Sequence, residues 1–284
     1  MEYTQPDFPK SAFAQLMAPP HRDINLSRAA LLIAQSEYPD LHVSCYVGNL
    51  EQMGQKVRAR TADASPMAAI EVLNRVLFDE EGFRGNEEEY YDPRNSYLND
   101  VIDRRTGIPI SLSVVYMEVA RHAGLEARGV SFPGHFIVKH PTPEGEIFVD
   151  PFYGGMVLEK EHLAQRLRLA GSGLMPFREH HLAACTEAQI VTRMLNNLKG
   201  IHASRRDYEK VLSVIDMMID VSPWDLDEVR DRGKVRLQLK DYEAALSDLE
   251  TYLQFRPDAE DAEVIGRSVQ YVKGLVPRGP VKEP

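Results

Sequence analysis

The chain has 284 residues, enough for one large domain or two modest ones, and its 43% hydrophobic and 27% charged residues suit an ordinary globular protein. A net charge of -10 opposes nonspecific binding to nucleic acid or to an anionic membrane surface. Two cysteines, Cys45 and Cys185, make neither a metal-ligand spacing nor a disulfide framework, which speaks against zinc-finger and disulfide-scaffold classes.

The N-terminus MEYTQPDFPK lacks a basic region followed by an apolar run, and no apolar stretch approaches the roughly 18 residues of a membrane span, so a cytoplasmic protein is expected. Residues 1–24 read as a loose arm, because Pro6, Pro9, Pro19 and Pro20 interrupt any element. Asn25 or Ser27 suits the cap of a helix through Arg28–Ala34 that Pro39 ends, and a second helix is expected over Val43–Thr61. Ser65-Pro66 pairs a capping residue with proline at the first helical position, and Met67, Ile70, Leu73, Asn74 and Leu77 form an inward stripe over Ser65–Leu77. The next stretch is irregular up to a short helix at Ser96–Asp103. In it Glu87, Glu88 and Glu89 read as a solvated face, and Tyr90, Tyr91 and Tyr97 as cover for the core. Amides in an irregular segment fix backbone or line a cleft, so Asn95 and Asn99, with Tyr97 and Arg105, are taken as candidate cleft residues.

Arg104–Gly107 reads as a turn, and Pro109 suits the first turn of a helix through Ser111–His122, whose apolar residues fill more than one face. Ala123-Gly124 stops it. Strands are expected at Leu125–Ser131, His135–His140 and Glu146–Val149, with Pro143-Glu144-Gly145 as a hairpin turn and Asp150 closing the last strand. Gly154-Gly155 turns the chain into a helix over Leu158–Leu169, and Gly171-Ser172-Gly173 is a break. A first domain over 25–170 and a connection over 171–189 follow.

From about Ile190 the texture is amphipathic and helical. Asp207-Tyr208 recurs as Asp241-Tyr242, Leu212 as Leu246 and Pro223 as Pro257, each 34 residues later, which is the period of a tetratricopeptide pair. The tyrosines start the second helix of each hairpin, the prolines end it, and Ala245 is small where helices approach closely. A last helix over Glu260–Leu275 closes a helical region of 190–275, and 276–284 is a frayed tail. Two repeats bury little alone, so they are expected to dock on the first domain.

The spacing also suggests a chemistry. A papain-type site needs a thiol at a helix start, an imidazole on a strand and a carboxylate or amide to hold the ring. His135 and Asp150 fall on neighbouring strands, and the helix after Pro109 supplies the third corner. With LFDEEGFRGN, YYDPRNSYLNDVIDRRTGIPISLS, GLEARGVSFPGHF and FVDPFYGG in hand, the chain is similar to the bacterial transglutaminase-like family that joins this core to C-terminal tetratricopeptide repeats. The resemblance implies an α+β, papain-like core followed by an all-α repeat region. It also implies a cysteine at the helix start, followed by Gly-His and Asp-Pro. The chain keeps Gly134-His135 and Asp150-Pro151, but its helix start, Pro109–Ser113, holds no cysteine.

Ser111 or Ser113 with His135 and Asp150 would make a serine-dependent hydrolase or acyltransferase, although no Gly-x-Ser-x-Gly elbow occurs. His140, His180 and His181 lack the spacing of a zinc helix, there is no phosphate loop or dinucleotide fingerprint, and Arg104-Arg105 is too short for a nucleic-acid patch. The expectation is therefore a protein without metal or cofactor that binds a polypeptide, through its repeats or its core cleft, or acts as a scaffold. The alternatives are the serine enzyme and a regulatory protein acting by protein contacts.

Overall fold

Ser11 accepts the Ala14 N–H and so caps α1 (Ala12–Leu16), a short helix inside the stretch expected to be a loose arm. Its Phe13, with Met17 just past its end, is buried, and this apolar pair one turn apart outweighs the flanking prolines. The computed structural model describes residues 11–18, 24–170 and 177–275. The Gly171-Ser172-Gly173 break and the 276–284 tail lie outside the described residues.

Side-chain caps then set the helical layer. Asn25 accepts the Arg28 N–H at the start of α2 (Leu26–Ala34), α3 (Val43–Arg58) follows, and Ser65 accepts the Ala68 N–H at the start of α4 (Pro66–Asn74). The chain continues past α4 as a π-helical stretch, Arg75–Glu80. A two-residue parallel ladder joins β1 (Arg84–Gly85) to β2 (Thr106–Gly107), and α5 (Leu98–Arg104) lies between them. The centre is α6 (Pro109–Ala123), with Pro109 in its first turn and Gly124 ending it at φ 81°. It is buried on nearly every side and packs against α3, α5 and the sheet.

The sheet is antiparallel in the order β3 (Arg128–Val130), β4 (Ile137–Thr142), β5 (Gly145–Asp150), β6 (Met156–Leu158). Thr142 pairs with Gly145, so Pro143-Glu144 form the hairpin turn. Strand β6 was not expected: Leu158 ends it, and α7 (Lys160–Ala170) starts only afterwards. His135 precedes β4, whereas the sequence reading put it on the strand. Of the connection expected over 171–189, the described part packs on the sheet: Leu182 joins Val130, Phe132, Ile137, Phe148, Leu158 and Leu163 in one core, and Ala184 bridges to Val130.

The repeat region consists of α8 (Glu187–Ser204), α9 (Tyr208–Val221), α10 (Leu226–Gln238), α11 (Tyr242–Phe255) and α12 (Ala262–Leu275). Asp207 and Asp241 cap α9 and α11, at φ -85° and -82° and ψ 75° in both, and the residues before them, Arg206 and Lys240, both turn left-handed at φ 58° and 62°. The 34-residue period is thus visible in the backbone. Ala245 is fully buried, and a Cβ on Gly233 would lie 2.7 Å from Leu249, so α10 and α11 approach at small residues. The chain divides into two compact units, one over 19–194 and one in which the N-terminal residues up to Ala18 join those from Leu195 onward, with α1 against α9.

Candidate functional site

The β4–β5 register, with Val138 opposite Val149, leaves Asp150 at the end of β5 and brings the chain ahead of β4 beside it. That chain is the tight turn Phe132–His135, in which the His135 N–H donates to the Phe132 carbonyl at 2.9 Å and Gly134 takes φ 74°. The His135 Nε2 lies 3.0 and 2.9 Å from the two carboxylate oxygens of Asp150. Asp150 is fully buried. A carboxylate taken out of water is costly unless donors surround it, and it also accepts from the Phe152 N–H at 3.2 Å and from Arg166 Nη1 at 3.0 Å.

Aromatic rings frame the pair. The Tyr153 ring stacks on His135 with centroids 6.0 Å apart, Phe152 meets it edge-on at 6.0 Å, and Arg166 lies over Tyr153 at 5.4 Å. Tyr90 meets Phe152 edge-on at 6.3 Å, and Tyr91 meets Tyr90 at 5.3 Å. Phe152 is buried, while Tyr90, Tyr91 and Tyr153 are exposed. Gly85 makes this seat possible, because a Cβ there would fall 2.7 Å from both the Phe152 ring and its carbonyl oxygen. Arg193 Nη2 donates to the His135 carbonyl at 2.9 Å, another of its nitrogens reaches the Ser131 hydroxyl, and its guanidinium lies over Phe136.

The serines sit elsewhere in the hydrogen-bond network. Both are fully buried. Ser111 donates to the Asn95 carbonyl at 2.6 Å and accepts the Ile108 N–H at 3.1 Å, which fixes the start of α6. The Ser113 Oγ has no hydrogen-bond partner among the described residues. Neither bonds to His135, so the structure does not assemble the serine triad.

The expected cleft residues are also frame. Asn95 is fully buried; its amide donates to the Glu89 carbonyl at 2.7 Å and the Tyr90 carbonyl at 3.3 Å, and its oxygen accepts from Asn86 at 3.1 Å. It therefore holds the loop that presents Tyr90 and lines no opening itself. Asn99 and Tyr97 are buried, Tyr97 against Tyr38 at 5.8 Å. Arg105 is left-handed at φ 55°, ends α5, and pairs with Glu81 at 3.0 Å over the Phe83 ring. Tyr90 and Tyr91 depart from the sequence reading in the opposite sense, being display residues in place of core cover.

Arg166, Arg193, Phe152 and Tyr153 were missed. The last two follow Asp150-Pro151 directly, and that adjacency was a usable signal; Arg166 and Arg193 carried none, being brought in by α7 and α8. His140 belongs to the core. Its Nε2 accepts from Tyr116 at 3.0 Å, its Nδ1–H donates to the Glu126 carbonyl at 2.7 Å, and burial pushes its pKa below the ordinary value. Burial also raises the Cys185 thiol, with the Ser131 N–H and Arg193 opposing. Among the described residues no three His, Cys, Asp or Glu side chains are grouped to hold a metal ion, and no helix is long and apolar enough to cross a membrane.

The chain is similar to known proteins over most of its length. The transglutaminase-like superfamily model matches residues 45–196, and a tetratricopeptide-repeat model matches 198–270. A UPF0162 protein of Xylella fastidiosa (strain Temecula1) is 39% identical over 247 residues, covering 84% of this chain and 87% of its own length. A UPF0162 protein of Vibrio cholerae is 30% identical over 204 residues, covering 71% and 75%. F-box only protein 21 of Mus musculus is 44% identical over 169 residues, covering 54% of this chain and 25% of its own.

Proposed function

Since the chain belongs to the family of the UPF0162 proteins, a transglutaminase-like domain followed by tetratricopeptide repeats, we propose that it holds a polypeptide at the His135 surface without covalent chemistry. Such a domain pair fits a protein-interaction scaffold, since helical repeats offer faces for partner chains. One observation carries the finer reading: partly exposed His135, held by buried Asp150, stacks on exposed Tyr153, and exposed Tyr90 and Tyr91 continue the aromatic surface from Phe152, while both candidate serines are buried and Ser111 is bonded to the frame. Exposed tyrosines around a rigid polar centre give contact area at low entropic cost and leave hydroxyls for hydrogen bonding. The F-box protein adds support, because a like stretch there forms a quarter of a larger chain, as an interaction module would.

The test is a peptide-display selection on the full chain, followed by affinity measurement with Tyr153→Ala and Tyr91→Ala. Exposed tyrosines at a binding centre should cost about tenfold or more in affinity each. Peptides that bind both variants as tightly as the parent would place the binding surface elsewhere.

A further inference from the structure

Lys139, Lys199, Arg230, Arg232 and Arg236 are largely buried cations, and each rests on a carboxylate: Glu146, Glu228 with Asp231, Asp231 again, and Asp248 for the last two. Arg193 is the exception among them. It is half-buried, yet its contacts are the Ser131 hydroxyl, the His135 carbonyl and the Phe136 ring, all neutral. No carboxylate pairs with it among the described residues. The chain's own acidic run, Glu87–Glu89, leads directly into Tyr90, a neutral phenol near Arg193, and still forms no ion pair with that guanidinium. Withdrawing a guanidinium from water without a counter-charge is unfavourable, and burial lowers the Arg193 pKa accordingly. A protein retains such a group where the missing anion arrives with a ligand.

We propose that Arg193 anchors a carboxylate of the bound polypeptide beside His135. This rests on the polypeptide-binding reading of that surface and names the chemistry it selects. The planar fork of arginine suits a carboxylate, and the contacts to the His135 carbonyl and the Ser131 hydroxyl hold it aimed before the ligand arrives. Tyr90 flanks the anchor on one side, and the His135–Tyr153 stack carries the rest of the peptide. The carboxylate comes from an aspartate or glutamate side chain or from a chain end.

The experiment titrates the full chain with three short peptides of one sequence: one with a central glutamate and a C-terminal amide, one with glutamine and the amide, and one with glutamine and a free C-terminal carboxylate. Sodium acetate is a fourth probe. Binding is read by calorimetry and by NMR of the Arg193 Nε–H and the His135 ring. At least one carboxylate peptide should bind about tenfold more tightly than the glutamine amide, as for a charge-assisted pair. Which one does so identifies the source. Arg193→Gln, which keeps an amide for the His135 carbonyl, should bring all three to one affinity, and Arg193→Lys should restore part of the preference. If all three bind alike and shift His135, the anchor is wrong and the polypeptide surface stands. If acetate shifts Arg193 but no peptide binds, the carboxylate site stands and the polypeptide reading falls. Silence from every probe overturns both.

Discussion

Asp150 shows what one residue must do here. It is a buried carboxylate shared by His135, Arg166 and the Phe152 N–H, so removing it strands three partners at once. Asp150→Ala should destabilise the chain by about 3–5 kcal/mol, as for a broken buried pair, whereas Asp150→Asn keeps an acceptor and should cost less. Urea denaturation checks the difference, and equal losses would contradict the role given to the charge. His140 gives a pH prediction. Burial lowers its pKa, with the Glu126 carbonyl opposing, so the folded state favours the neutral ring. The stability this adds is complete above the unfolded pKa of about 6.5 and is lost as pH falls from there through the folded value. Tyr116→Phe removes the donor to Nε2 and should cost about 1–3 kcal/mol at pH 7.5. A His140 ring signal that titrates at or above the ordinary histidine value would contradict this.

At the scale of elements, caps and close approaches decide. Asp207 and Asp241 cap α9 and α11 with the same geometry, so Asp207→Ala and Asp241→Ala should each cost about 1 kcal/mol in thermal or urea unfolding. Clearly unequal costs would mean the two repeats are not equivalent there. Gly85→Ala should cost about 1–3 kcal/mol by pressing on Phe152, and should weaken any ligand that touches Tyr153. Periodicity and capping made α2, α4, α6 and the repeat helices legible, because those signals are local. Strand β6 was not legible: Met156 and Val157 are both exposed, so no alternation marks three residues as a strand. Nor was α1, whose Phe13 and Met17 have meaning only against α9. His135 and Asp150 could be paired from sequence because a hairpin joins them. The serines stood as candidates in sequence because a helix-start hydroxyl looks alike there whether it faces a cleft or, as Ser111 does, the Asn95 carbonyl. Arg193, 58 residues beyond His135, comes to the site through tertiary packing alone.

For the whole molecule, the two units should respond differently to acid. The unit around α6 holds His122 and His140, both with pKa values lowered chiefly by burial, so it loses stability as pH falls below about 6.5. In the repeats, burial raises Asp231, but the hydrogen bonds and charges of Lys199 and Arg230 together outweigh it and hold the carboxyl below its ordinary value. That contribution is present above about pH 4 and is lost only as pH falls through the lower folded value. Hydrogen exchange, corrected for the intrinsic rate, should show protection falling first around α6 between pH 7.5 and 5. Repeats that open first would contradict this assignment. The most direct test of the account is mass spectrometry of the full chain incubated with a bound, display-selected peptide, alongside NMR of the His135 ring. The prediction is a shifted ring signal, an intact peptide and an unchanged protein mass. A cleaved peptide, or an acyl adduct mapped to Ser111 or Ser113, would contradict a surface that holds its partner without cutting it.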